Sequence, residues 1–177
     1  MLLIRNQKQF ESIFNEYWED LYRAAYIRLR DQAITEDIVQ EIFVDLWQRR
    51  AEINIQSSLK GYLLTAVKYR VLKHLKREAR FVTDGLDGID LISVESDDLS
   101  FENLYQQLEV AIDQLSPACQ IIFRMSKIEG MSTMEIAKKL NISKQTVSNQ
   151  LSKSMGIVRA EMKHVTPLLL LLIDGQA

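Results

Sequence analysis

Six side chains between Lys144 and Lys153 could recognise a nucleic acid by hydrogen bonding: Lys144, Gln145, Thr146, Asn149, Gln150 and Lys153. Gln and Asn can bond both edge groups of an adenine at once, and Lys can reach guanine or a phosphate. Their spacing leaves Val147 and Leu151 on the opposite side of a helix that Ser143 can cap. Just before it, Ser132 and Glu135 form the S-x-x-E pattern of a capping box. That pattern predicts a short helix ending near Leu140, with Asn141 able to take the left-handed turn conformation. Ile136, Ala137, Leu140, Ile142, Val147 and Leu151 then fall where the two helices must pack on each other. The pair reads as a helix-turn-helix whose second helix offers Ser143, Lys144, Gln145, Thr146, Asn149, Gln150 and Lys153 to DNA bases.

No constellation suited to catalysis accompanies these residues. The two histidines, His74 and His164, lie far apart on basic or terminal segments. The one cysteine, Cys119, sits among Ile121, Ile122 and Phe123, which is the setting of a buried thiol. One cysteine excludes an internal disulfide and any cysteine-based zinc cluster, and accords with a reducing compartment. No Gly-rich phosphate loop, metal-ligand cluster or cofactor motif appears, so no cofactor or small-molecule substrate is expected.

The chain that must position the reading helix has 177 residues, 47% hydrophobic and 26% charged, with only 6 Gly and 2 Pro. That composition suits an all-α protein. The net charge of −2 conceals a segregation. Seven Lys/Arg lie between Lys60 and Arg80 against Glu78 alone, and six acids with no Lys or Arg lie between Phe81 and Ser100. Six basic residues then fall between Lys138 and Lys163, opposed by Glu161. Two basic segments thus flank an acidic one, giving two candidate polyanion surfaces.

Apolar periodicity predicts a helix from about Gln7 to Leu29 with an aromatic stripe through Phe10, Phe14, Tyr17 and Trp18. A second is expected from "ITED", capped by Thr35, to about Arg49, with Asp37, Gln40, Glu41, Asp45 and Gln48 on one polar stripe. Ala51 to Ser58 reads as a loop, and Ser57 or Ser58 caps a third helix to about Arg80. Residues 81–99 hold Gly85 and Gly88 in Asp-rich text, and read as a flexible linker. Ser100 then caps a helix through Leu115, and "LSPAC" restarts one that Gly130 ends. The expected architecture is two small helical domains, 1–80 and 100–177, joined by an acidic linker at 81–99, the second domain containing the helix-turn-helix. The start of the chain has no signal-peptide pattern. The apolar run Leu168 to Ile173 is far short of the roughly 20 residues a bilayer requires, so the protein is expected to be cytoplasmic.

The order of these segments resembles a bacterial sigma factor of the extracytoplasmic-function group, over about residues 8 to 162. "FESIFNEYWEDLYRAAYIRL" and "ITEDIVQEIFVDLWQRR" are similar to the first two helices of that family's promoter-melting domain. "SSLKGYLLTAVKYRVLKHLKRE" is similar to its basic third helix. "IDQLSPACQIIFRMSKIEGMSTMEIAKKLNISKQTVSNQLSKSMGIVR" is similar to its second DNA-binding domain.

The resemblance implies that "EDIVQEIFVDLW" docks on core RNA polymerase, through Asp37, Gln40, Glu41, Asp45 and Trp47; Trp47 stands equally as a core residue. It implies that Lys68, Arg70, Lys73, His74, Lys76 and Arg77 lie on the minus-ten element of promoter DNA. It also implies that Ile53, Asn54 or Ile55 receive a base flipped from the opened strand. Where relatives often carry Asn near Tyr69 and Asn or Asp near Lys73, this chain does not, so the resemblance implies phosphate contacts there more firmly than base contacts. The last helix would read the minus-thirty-five element, and the acidic linker would thread the polymerase channel. An anti-sigma factor, often membrane-embedded, is the implied regulator. A dimeric DNA-binding regulator, which predicts no affinity for core polymerase, and a helical adaptor, which predicts no salt-dependent DNA binding by either basic segment, are the competing readings.

Overall fold

The computed structural model describes residues 4, 6–53, 55, 58–83 and 100–162, of which 79–83 are described by backbone alone. Among these residues all regular structure is helical. The chain divides into two compact units, Met1–Ile89 and Asp90–Ala177. Of the linker expected at 81–99, residues 81–83 are helical instead, and 84–99, like the apolar run Leu168 to Ile173, lie outside the described residues.

In the first unit, α1 (Gln7–Leu29) starts on Asn6, whose side chain accepts from the Gln9 amide at 2.9 Å. It ends on Arg30 in the left-handed conformation, φ 55°. α2 (Gln32–Gln48) follows at once, because Asp31 caps it by accepting from the Ile34 amide at 2.9 Å. This corrects the expected start: Thr35 is not the cap but a buried residue inside the first turn, its hydroxyl donating back to the Asp31 carbonyl. A two-residue connection makes α1 and α2 pack as neighbours.

Their interface is aromatic. Phe14 lies 4.8 Å from Phe43 and Phe10 lies 5.1 Å from Trp47, ring centre to ring centre. Such tilted pairs contribute about 0.5–1.5 kcal/mol beyond the area they bury. α3 (Leu59–Thr83) packs on both and runs three residues past its expected end. Ser58 caps it, accepting from the Gly61 amide at 3.0 Å. Leu63, Val67 and Val71 are fully buried with Leu21, Val39 and Leu46, so the core of this unit sits where the three helices meet.

The second unit begins with α4 (Phe101–Asp113), capped by Ser100, which packs on α7 (Lys144–Glu161). α5 (Pro117–Phe123) has proline in its first turn and passes into a π-helical segment, Arg124–Ile128. Gly130 at φ 77° turns the chain into α6 (Thr133–Leu140). Asn141, at φ 53° and ψ 45°, makes the next turn, and Ser143 caps α7 by accepting from the Thr146 amide at 3.0 Å. The capping box at Ser132 and Glu135 is complete in both directions.

Candidate nucleic-acid and partner interfaces

α6 and α7 form the helix-turn-helix. Ile136 and Val147 are fully buried against each other's helices, joined by Leu151 and by Ile122 from α5, with Met125, Met131, Ala137, Leu140 and Ile142 around them. This core presents the start of α7 outward: Ser143, Lys144, Gln145, Thr146, Asn149 and Lys153 are all exposed. Two bonds hold that face in order. Gln145 Nε2 donates to Asn149 Oδ1 at 2.9 Å, and the hydroxyls of Ser143 and Thr146 share a bond at 2.8 Å. Gln150 stands apart from its expected companions: it is half-buried, and its Oε1 accepts from the Cys119 thiol at 2.7 Å. That bond turns the amide toward α5.

The unit is braced by a contact that local sequence patterns do not announce. Arg124, at the head of the π segment, donates to both oxygens of Glu109 on α4, at 2.8 and 2.7 Å. Glu109 is buried, and its hydrogen bonds followed by its charge hold the guanidinium above its ordinary pKa. At α6 the Glu135 carboxyl is held below its ordinary pKa, first by the Ser132 hydroxyl and then by the Ser132 backbone N–H.

In the first unit the polar stripe of α2 lines an open groove of about 400 Å³. Asp37, Gln40, Glu41, Val44, Asp45 and Gln48 form one wall, and Arg70 of α3 closes the other side. Val44 is an exposed apolar residue at 52%, an anchor among acids and amides. Trp47 is half-buried: Phe10 covers one side and the Arg50 guanidinium lies 4.1 Å from its ring centre, so it is both core and rim.

Residues expected to contact DNA on α3 divide by exposure. Lys73 and Arg77 are exposed, Lys76 and His74 half-buried, and His74 Nε2 lies 3.6 Å from Glu78. Lys68 is buried, only 8% exposed, in contrast to the exposed Lys73 and Arg77. Arg70 is turned to α2, 2.8 Å from Glu41 and 3.9 Å from Asp45. In the loop, Ile53 is half-buried and Ile55 buried; Asn54 lies outside the described residues.

The two units therefore define a helical, two-domain protein with a helix-turn-helix reader on one unit and an acid–amide groove beside a basic helix on the other. Residues 13–81 match the family described as Sigma-70 region 2, and residues 105–156 match Sigma-70, region 4. The chain belongs to the sigma-70 family, in its two-domain extracytoplasmic-function group. It is 21% identical over 166 residues to the ECF RNA polymerase sigma factor SigX of Bacillus subtilis (strain 168), covering 89% of this chain and 85% of that protein. It is 25% identical over 157 residues to the ECF RNA polymerase sigma factor SigE of Mycolicibacterium smegmatis, covering 85% of this chain and 60% of that one. Among solved structures it is similar to the sigma factor RpoE in complex with the anti-sigma factor NepR from Bartonella quintana, with TM-score 0.43 and 19% identity. That match covers 90% of this chain and 100% of the other.

Proposed function

We propose that this sigma factor, which directs promoter recognition in transcription initiation, divides the task among three helices. α2 docks on core RNA polymerase through Asp37, Gln40, Glu41, Asp45 and the rim of Trp47. α3 follows the minus-ten element through Lys73, His74, Lys76 and Arg77, beside a loop whose Ile53 and Asn54 meet the opened strand. α7 reads the minus-thirty-five element through Ser143, Lys144, Gln145, Thr146, Asn149 and Lys153. The chain acts by binding rather than by catalysis, and works in the cytoplasm, with an anti-sigma factor as its regulator. Among the described residues no helix is long and apolar enough to cross a membrane.

The observation that carries the reading is the α2 groove. A stripe of carboxylates and amides around one exposed valine has the make-up of an interface with a basic, partly apolar partner. The test is binding of labelled protein to purified core polymerase beside an Asp37→Lys, Gln40→Lys variant, since both positions are exposed and tolerate exchange without loss of fold. Tight binding that the folded variant loses by tenfold or more supports the reading. Absence of wild-type binding refutes it and leaves a stand-alone DNA regulator.

A further inference from the structure

Arg70 is the residue that two surfaces compete for. In the free chain its guanidinium spans the groove, 2.8 Å from Glu41 and 3.9 Å from Asp45, while Arg49 also approaches Asp45 at 3.6 Å. Along α3, positions 70, 73 and 77 fall on one stripe, and Lys73 and Arg77 of that stripe are exposed. A turn of the Arg70 side chain away from α2 would therefore add it to the cationic row. With Nη1 on Glu41 and Nη2 toward Asp45, the guanidinium is turned to α2 and away from the row of Lys73 and Arg77.

We infer that Arg70 is a shared binding residue that links the α2 groove to the basic face of α3: held by Glu41 and Asp45 in the free protein, it passes to a nucleic-acid phosphate when a basic partner takes those two carboxylates. The inference rests on the proposed docking role of α2 for the nature of the partner. Three observations support it. The Arg70 side chain is 30% exposed and that of Glu41 is 64% exposed, so the bond is a screened surface pair that better-placed cations can displace. Arg49 stays beside Asp45 on the same helix, so the groove keeps a cation when Arg70 leaves. Finally, the groove has Arg70 as one of its walls, so an occupant must meet that side chain. By reciprocity, DNA that captures Arg70 also bares Glu41 for the partner, so each ligand favours the other.

The test is a cycle of four polymerase-free proteins on a mixed-sequence DNA duplex: wild type, Arg70→Ala, Glu41→Gln/Asp45→Asn, and all three substitutions together. Each phosphate contact steepens the slope of log affinity against log salt by about 0.9. Arg70→Ala should flatten the wild-type slope by clearly less than that, because Glu41 and Asp45 hold the guanidinium for part of the time. In the Glu41→Gln/Asp45→Asn background it should flatten the slope by about 0.9, a difference of about 3.5-fold in affinity across a fourfold range of salt. The general effect of removing two acids is common to both proteins of that background and cancels. Equal effects of Arg70→Ala in the two backgrounds, absence of binding included, overturn the inference. Arg70→Gln, which keeps a polar but shorter and uncharged side chain, repeats the comparison if the alanine variant unfolds. Because the cycle contains no polymerase, its outcome is separate from the core-binding result: a failed cycle leaves docking intact, and failed docking leaves the cycle readable.

Discussion

Replacing Arg124 with methionine should unfold the second unit selectively, and the size of the effect follows from the geometry. Both oxygens of Glu109 accept from the guanidinium, at 2.8 and 2.7 Å, and the glutamate side chain is only 8% exposed. Removing one partner of a buried ion pair costs about 3–5 kcal/mol, because a charge remains buried without its counter-ion. The Arg124 side chain is 24% exposed, so water can enter the vacated site, and the cost falls to about 2–3 kcal/mol. For a domain of this size that corresponds to a Tm lower by about 8–24 °C. Both tryptophans, Trp18 and Trp47, belong to the first unit, so tryptophan fluorescence serves as an internal control that should not move. Hydrogen exchange in peptides from α4 and α5 should rise, and the circular dichroism melt should show an earlier step. Replacing both partners, Glu109→Leu with Arg124→Met, should recover most of the loss, since no charge is then stranded. A single variant that melts within about 2 °C of wild type, or a double variant worse than the single, would refute the reasoning.

Other consequences are open to measurement. Ile136→Ala removes a fully buried side chain from the helix-turn-helix core and should cost about 2–4 kcal/mol in denaturant melts, with DNA binding lost in step. Glu135 has a lowered folded-state pKa, so its contribution is fully present above the ordinary value of 4.5 and lost as pH falls through the lowered one. Exchange at α6 should rise on that acid limb, and Glu135→Gln should remove the pH dependence. Gln145→Ala should relax base preference at one position by about 1–3 kcal/mol in competition assays. Lys153→Ala should instead weaken all sequences alike and reduce the salt slope by about one.

What could be read from the sequence was local. Ser100, the Ser132–Glu135 box, Asn141 and Ser143 act on amides or turns within a few residues, and each does what its spacing implies. The helix-turn-helix core was legible for the same reason: Ile136, Val147 and Leu151 sit at intervals that only a helical pair brings together. The start of α2 was not, because Asp31 and Thr35 are both able caps and only the tight turn at Arg30 decides between them. Direction and distance were the other losses. Polarity placed Gln150 on the reading face, yet the nearby Cys119 thiol, 31 residues away in sequence, turns its oxygen inward. The resemblance placed Arg70 and Lys68 with the DNA-facing residues, while in the folded unit Arg70 pairs with Glu41 and Lys68 is buried. The Glu109–Arg124 brace spans 15 residues and ends at the head of a π segment that no pattern marks.

The central claim, that the chain delivers core polymerase to promoters, is tested most directly by reconstituted transcription. Core enzyme with a pool of promoter fragments should yield run-off products only when this protein is added, and their start sites should lie downstream of one shared pair of sequence elements. Silence from a folded protein that still binds DNA in the same buffer would contradict the account.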